Sequence, residues 1–309
     1  GRMSDIAVSI PAGKPAGRGV ARLLQGVVSL PFLLPTLVLL SVFTYWPIAE
    51  ALWDSLLTTD RAGRVETGLQ NYAALFADPA FRKAALNNLL FAFTTVPASL
   101  ALALAFALAL TRSTRIASAL RTIFFLPTLI PLIAAASIFL FLFLPQAGLI
   151  DYYLAKIGRQ GPNWLGDPDV ALWALSLLTV WKNAGYYMLF FLAGLQGVSR
   201  DLMEAATLDG AGALARFRHV TLPALRETFA FVLVLALIGA ITQVDHVFVL
   251  TKGGPSDSTN LILFYIYQQA VERYEPGRAA AATVVALVAL LAITASSIRR
   301  FDAAPGSAA

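Results

Sequence analysis

The chain has 309 residues, 58% of them hydrophobic and only 13% charged, where a soluble domain carries about 45–50% apolar and about 25% charged residues. So little polar surface, with a mean hydropathy of +0.71, excludes a water-soluble globule and points to a bilayer as the surrounding medium. Cysteine is absent, which excludes disulfide scaffolds, thiolate nucleophiles and cysteine-based metal clusters. The net charge of +5 comes from basic residues scattered in short groups between apolar runs. That pattern suits orientation in a membrane and not a nucleic-acid patch.

In chain order, Gly1 and Arg2 read as additions ahead of a native Met3, and residues 1–22, rich in Gly, Pro, Ser and Ala, read as a disordered tail. The apolar run after Arg22 is long and contains Pro31 and Pro35, unlike the short core of a cleaved signal peptide, so it is expected to remain as a span. A hydrocarbon core takes roughly 20 apolar helical residues. Six windows of that size occur: Val27–Trp46, Leu89–Leu110, Ile123–Leu144, Val170–Leu195, Phe229–Val249 and Ala279–Ile298. They lack the two-residue alternation of a membrane barrel, and only helices satisfy every backbone group inside such runs. The expected fold is an all-α integral membrane domain over residues 23–300, with residues 301–309 as a second tail.

Lysine and arginine placement sets the orientation. With six spans both termini share one side, which collects thirteen basic residues, among them Arg112, Arg115, Arg121, Arg200, Arg216, Arg218 and Arg226; the other side has nine over longer loops. Both termini are therefore expected in the cytoplasm. Prolines mark three spans: Pro31 and Pro35, Pro97, and Pro127 with Pro131. Each removes an intrahelical hydrogen bond, either as packing geometry or as a hinge.

The segment from Gln196 to Glu227, between spans four and five, is the most informative. Ser199 can cap a short helix with Asp201 in its first turn. Leu202, Ala205, Ala206 and Asp209 recur at helical spacing on one side, and Gly210 is placed to end the helix in the left-handed conformation. A second short helix is expected over Ala213–Phe217, and Pro223 suits the first turn of the fifth span. These residues alone fit a docking knob or a plain folded linker.

Glu204, Ala205 and Ala206, then Gly210, then nine residues to Val220, then Leu222 and Pro223 resemble the EAA loop of the membrane-spanning subunits of binding-protein-dependent ABC importers. Val220 replaces the usual isoleucine. Asp209, Ala211 and Phe217 are similar to the carbohydrate branch, and so is the stretch Val244–Thr259, with Asp245 ahead of the Gly253-Gly254-Pro255 turn. Weaker similarities cover the sequence after the first span, Asn71-Tyr72, and the entry to the third. The chain departs from the maltose-type subunit in lacking additional amino-terminal spans and in the short loop Pro145–Asp169, which points to the compact sugar and glycerol-phosphate subgroup. The resemblance implies a type I importer permease in the cell inner membrane that forms half of a translocation path. It implies a second, related but non-identical permease, two cytoplasmic ATP-binding subunits carrying ATP and Mg, and an external solute-binding protein. It further implies that loop 196–227 couples to the ATPase through Glu204, Ala205, Ala206, Asp209, Gly210, Ala211, Phe217, Leu222 and Pro223. The solute stays open among sugars, polyols, oligosaccharides and glycerol phosphate.

No nucleotide site is expected here, because neither the stretch near Gly166 nor that near Gly253 supplies a P-loop. Gly253, Gly254 and Pro255 read as a tight external turn or as a contact for the binding protein. A charge at bilayer depth needs partners or water. Lys182, with Asn183, Tyr186 and Tyr187, either presents hydrogen-bonding groups and aromatic faces to a solute path or snorkels to the interface. Gln243, Asp245 and His246 form a second path candidate, which alternatively ties helices together. His219 reads as a solvated or interface residue. With the two histidines on opposite sides, no metal site or catalytic pair assembles. The rivals are an ion-coupled secondary transporter, which calls for internal repeats, and a membrane enzyme, for which catalytic groups are lacking.

Overall fold

The computed structural model describes residues 33–59 and 64–302. The amino-terminal tail, Pro31, the start of the first expected span and residues 303–309 lie outside the described residues. The chain divides into two units at Trp53/Asp54. Helix α1 (Leu33–Asp54) makes up the described part of the first and ends at the boundary. Pro47 has no N–H to give the carbonyl of Phe43, and the ladder widens there into a π-helical stretch, Ser41–Tyr45, in which Trp46 N donates to Ser41 O.

The second unit opens with a small antiparallel hairpin, β1 (Leu57–Thr59) and β2 (Val65–Thr67), pairing Leu57 with Thr67 and Thr59 with Val65. This hairpin lies outside the apolar windows. Helix α2 (Gln70–Ala77) follows, its Asn71 donating to the carbonyls of Ser55 at 3.0 Å and Leu57 at 2.8 Å. Asp78 then caps α3 (Pro79–Ala109) by accepting from Ala80 N at 2.9 Å, with Pro79 in the first turn, where a missing N–H costs nothing. The buried face of α3 runs Phe81, Ala84, Asn87, Asn88, Phe91, Thr95, Ser99, Ala103 and Ala107 at three- and four-residue spacing. That stripe packs along α7 (Ala171–Gln196), the helix at the centre of the main core.

The third expected span is two helices. Helix α4 (Arg115–Leu129), capped by Thr114, and α5 (Leu132–Leu142) meet at a bend of 99°. After α6 (Leu149–Lys156) and α7 come the short loop helix α8 (Arg200–Leu208) and α9 (Ala213–Arg216), which runs on as a π-helical turn to Thr221 and a single turn Leu222–Ala224. The fifth span is also broken, into α10 (Arg226–Thr242) and α11 (Asp245–Leu250). Helix α12 (Ile262–Tyr267) and the long α13 (Pro276–Asp302) complete the unit. Within the described residues, each expected span thus falls on a helix or helix pair. Helices α1, α3, α10–α11 and α13 qualify by length and composition, and the bent α4–α5 pair makes five. At 26 residues, about 39 Å long, α7 is long enough, but Lys182, Asn183 and the tyrosines make it less apolar, as suits a helix that other helices surround.

Two glycines set how closely helices approach α7. A Cβ on Gly185 would stand 1.8 Å from the Phe124 carbonyl oxygen of α4, and one on Gly194 would stand 2.4 Å from Thr228 Oγ1 of α10. Only a hydrogen fits at the first position, so α4 rests backbone to backbone on α7.

Candidate functional site

The 196–227 loop folds as a tied pair of helices. Ser199 caps α8 by accepting from Leu202 N at 3.4 Å, and Asp201 sits in the first turn. At the other end Gly210 adopts φ +79°, Gly210 N donates to Thr207 O at 3.1 Å and Ala211 N to Ala206 O at 2.9 Å, the paired bonds of a Schellman cap. Arg216 Nη1 donates to Thr207 Oγ1 at 2.8 Å, and Thr221 Oγ1 meets Met203 Sδ at 4.0 Å, so α8 is clipped to the helix that follows. The second helix is longer than the expected Ala213–Phe217, because Phe217 continues into the π-helical turn and does not end it.

Glu204, Ala205, Asp209, Gly210, Leu222 and Pro223 are exposed, and Ala206, Ala211 and Phe217 are half-buried. Beside them Leu202 is 61%, Leu208 89% and Leu214 78% exposed. Three leucines on one small knob, whose own helices are already tied together, are left open among the described residues. His219 is exposed, its Nδ1 3.0 Å from Ala215 O.

The polar groups of α7 lie deep in the bundle. Lys182 is 8% exposed, and its Nζ donates to the carbonyls of Pro127 at 3.2 Å, Thr128 at 3.4 Å and Ile130. Thr128 Oγ1 returns a bond to Lys182 O at 3.1 Å. The ammonium therefore neither snorkels nor faces a cavity: it sits on the carboxyl end of α4, where the helix dipole favours a cation. Asn183 Nδ2 donates to Gln243 Oε1 at 3.1 Å. With Thr95, Ser99, Thr179 and Tyr187, Asn183 lines a recess of about 10 Å3, room for a single water and none for a sugar. Tyr186 is part-exposed and stands edge-on to Phe190.

Asp245 is exposed at the start of α11, while its neighbour His246 is fully buried. The His246 ring stacks on Phe91 with centroids 5.5 Å apart, and neither nitrogen has a hydrogen-bond partner among the described residues. His246, one of the expected path residues, packs its ring between α11 and α3.

The Gly253-Gly254-Pro255 segment is a fixed turn. Gly253 has φ +80° and no room for a side chain, because a Cβ would meet Phe264 at 2.7 Å, and the Gly254–Pro255 peptide is cis. Side chains of α3 hold the turn: Lys83 Nζ donates to Ser256 O at 2.7 Å, and Asn87 Nδ2 donates to Asp257 O at 2.7 Å and Asn260 O at 3.0 Å. Asn88 bridges onward, donating to Ala240 O at 3.3 Å and accepting from Ile262 N at 3.3 Å. Sequence reasoning missed this clamp. Its one signal was two adjacent asparagines in an otherwise apolar helix.

Several helices long and apolar enough to cross a membrane, joined by a two-helix loop clipped by its own cross-bonds, describe a polytopic membrane protein. The comparisons place it more narrowly. Residues 99–304 match the family model described as "Binding-protein-dependent transport system inner membrane component", and the chain belongs to that family. It is 33% identical over 276 residues to a probable ABC transporter permease protein, YurN, of Bacillus subtilis, covering 87% of this chain and 94% of the relative. It is 32% identical over 270 residues to the sulfoquinovosyl glycerol transport system permease protein SmoG of Agrobacterium fabrum, covering 86% and 88%. It is 33% identical over 275 residues to the sn-glycerol-3-phosphate transport system permease protein UgpA of Yersinia enterocolitica, covering 87% and 93%. In fold it is similar to a chain of a bacterial ABC transporter that imports the acidic polysaccharide alginate, with a TM-score of 0.82 at 22% identity over 94% of this chain and 100% of that one. The protein is thus a permease subunit of an ABC importer, itself no enzyme, that works with a solute-binding protein. An ion-coupled carrier is not favoured.

Proposed function

We propose that this chain forms half of the translocation path of an ATP-driven importer for a sugar, polyol, oligosaccharide or glycerol-phosphate-type solute, and that the 196–227 loop receives the stroke of a separate ATPase. The observation that carries the coupling is the tied α8–α9 knob with Leu202, Leu208 and Leu214 open on its surface. An unclipped linker would not transmit a displacement, whereas a knob fixed by caps and cross-bonds moves as a rigid body. Glu204, Ala205 and Ala206 lie on that knob, and small residues permit close approach of a partner. The solute class rests on the relatives, which are transport-system permeases for sulfoquinovosyl glycerol and sn-glycerol-3-phosphate.

The full assembly in this reading holds a second, related permease, two ATP-binding subunits that carry ATP and Mg, and the external solute-binding protein, in the cell inner membrane. Both termini and the 196–227 loop lie in the cytoplasm, and the Gly253-Gly254-Pro255 turn lies outside. Tyr186 and Asp245 are the path groups that remain available, since Lys182, Asn183 and Gln243 bond within the protein and Tyr187 is buried. The test is uptake and ATP hydrolysis by the reconstituted complex with its binding protein. Glu204→Arg is expected to lower uptake at least tenfold while hydrolysis continues. Uptake at the wild-type rate would show that the loop does not couple.

A further inference from the structure

Two of the spans are broken, and adjacent residues of α7 reach both breaks. In the third span, Pro131 has no N–H to donate to the carbonyl of Pro127, so the α-helical ladder cannot run through. The chain makes one tighter bond there, Ile130 N to Pro127 O at 3.3 Å, and then turns by 99°. The turn leaves the carbonyls of Pro127, Thr128 and Ile130 pointing at a single buried group, the Lys182 ammonium. Inside a bilayer such carbonyls have no water to fall back on, and a buried cation needs the same oxygens. In the fifth span the ladder ends with Gln243 N on Gly239 O at 2.9 Å, Gln243 turns extended, and its side-chain oxygen accepts from Asn183. Beyond the breaks, α5 and α11 pack directly on each other, with Ala136, Phe139, Val247 and Leu250 in one core cluster.

We propose that Lys182 and Asn183 are positioning residues that tie both broken spans to α7, so that α5 and α11 swing as one body when the subunit changes conformation. The inference rests on the permease reading for its transport consequence but not for its geometry. Gly185, one turn further along α7, supports it: α4 comes backbone-close to α7 there, near where Lys182 reaches across, which limits the reach of the ammonium.

The natural lack of cysteine allows paired spin labels without background. One pair, at Thr122 and Phe141, reports the α4–α5 angle; a second, at Phe231 and Lys252, two residues past α11 and bonded through its N–H to Val247 O, reports the position of the far end of α11 relative to α10. Helix α5 has 11 residues and is about 16 Å long, so a 20° change of bend carries its far end about 6 Å. In Lys182→Met both label distances are expected to shift or broaden, with at least tenfold lower uptake, and Lys182→Arg is expected to restore both distances and uptake. Unchanged distances in Lys182→Met would overturn the proposal, and so would a change confined to the Thr122–Phe141 pair. If Lys182→Met does not insert, Asn183→Ala cuts the other tie and is expected to move both pairs as well; no movement overturns the proposal. Failure of the permease reading is separable, because it would appear as no uptake by the wild-type complex while the distances still respond.

Discussion

The approach of α4 to α7 gives the sharpest energetic test. In Gly185→Ala the new methyl would lie 1.8 Å from Phe124 O, 2.6 Å from its carbonyl carbon and 3.0 Å from Phe125 Cα, all backbone atoms that no rotamer change can move. Restoring an ordinary 3.4 Å contact requires the helices to part by about 1.6 Å. That opening carries the Lys182 bond to Pro127, now 3.2 Å, and the Thr128 bond to Lys182, now 3.1 Å, beyond hydrogen-bonding range. Overpacking costs about 1–3 kcal/mol and a lost bond to a charged group about 1.5–3 kcal/mol, so the variant should lose about 3–5 kcal/mol. In lipid nanodiscs its unfolding midpoint should fall by roughly 10 °C. Gly194→Ala is the comparison: its methyl meets side-chain atoms of Thr228 and Leu225, which can give way, and the loss should be less than half as large. A Gly185→Ala protein that melts within roughly 2 °C of wild type would refute the close-contact reasoning.

Gly210 and Gly158 both have positive φ and open space around the missing Cβ, so alanine at either should cost about 1–2 kcal/mol of backbone strain; only Gly210→Ala should also lower solute uptake, which transport assays on the matched pair will read. Asn87→Ala removes donors to two carbonyls of the 251–260 turn, a loss of about 1–3 kcal/mol locally, and trypsin should then cut at the exposed Lys252 faster than in wild type. The Tyr265 hydroxyl is pushed well above the ordinary tyrosine range, first by burial and then by its 2.7 Å hydrogen bond to Asp78. A raised folded-state value means this contribution is complete below about pH 10 and is lost as pH rises past the point where the unfolded tyrosine ionises. Melting curves should therefore decline above about pH 10 in wild type and decline less in Tyr265→Phe.

Periodicity and hydropathy made the spans legible because they depend on each residue's own solvent preference. The capped α8 with its glycine stop was legible too, since capping is local chemistry at fixed spacing: Ser199, Asp201 and Gly210 all act within a turn of where they stand. What stayed hidden were choices between distant partners. Lys182 looked like a solute or interface group because nothing near it in sequence names its ligands, which lie 52 to 55 residues away on the broken third span. His246 beside Asp245 suggested one shared site, yet the helical turn sends the ring into the core against Phe91 and leaves the carboxylate exposed. The prolines at 127 and 131 announced a bend but not its size, which depends on the Lys182 ammonium that donates to the carbonyls at the break. Asp78, the cap of α3, also receives the Tyr265 hydroxyl from 187 residues away, a pairing no local rule could reveal.

The coupling role of the 196–227 loop is tested most directly by a photo-crosslinker on a single cysteine at Leu208, the most exposed of the loop leucines at 89%, in a chain that otherwise has none. In membranes containing the assembled importer, illumination should join this chain to a nucleotide-binding subunit, with a yield that changes when ATP is added. A label that reaches only lipid or water in the assembled complex would contradict the account.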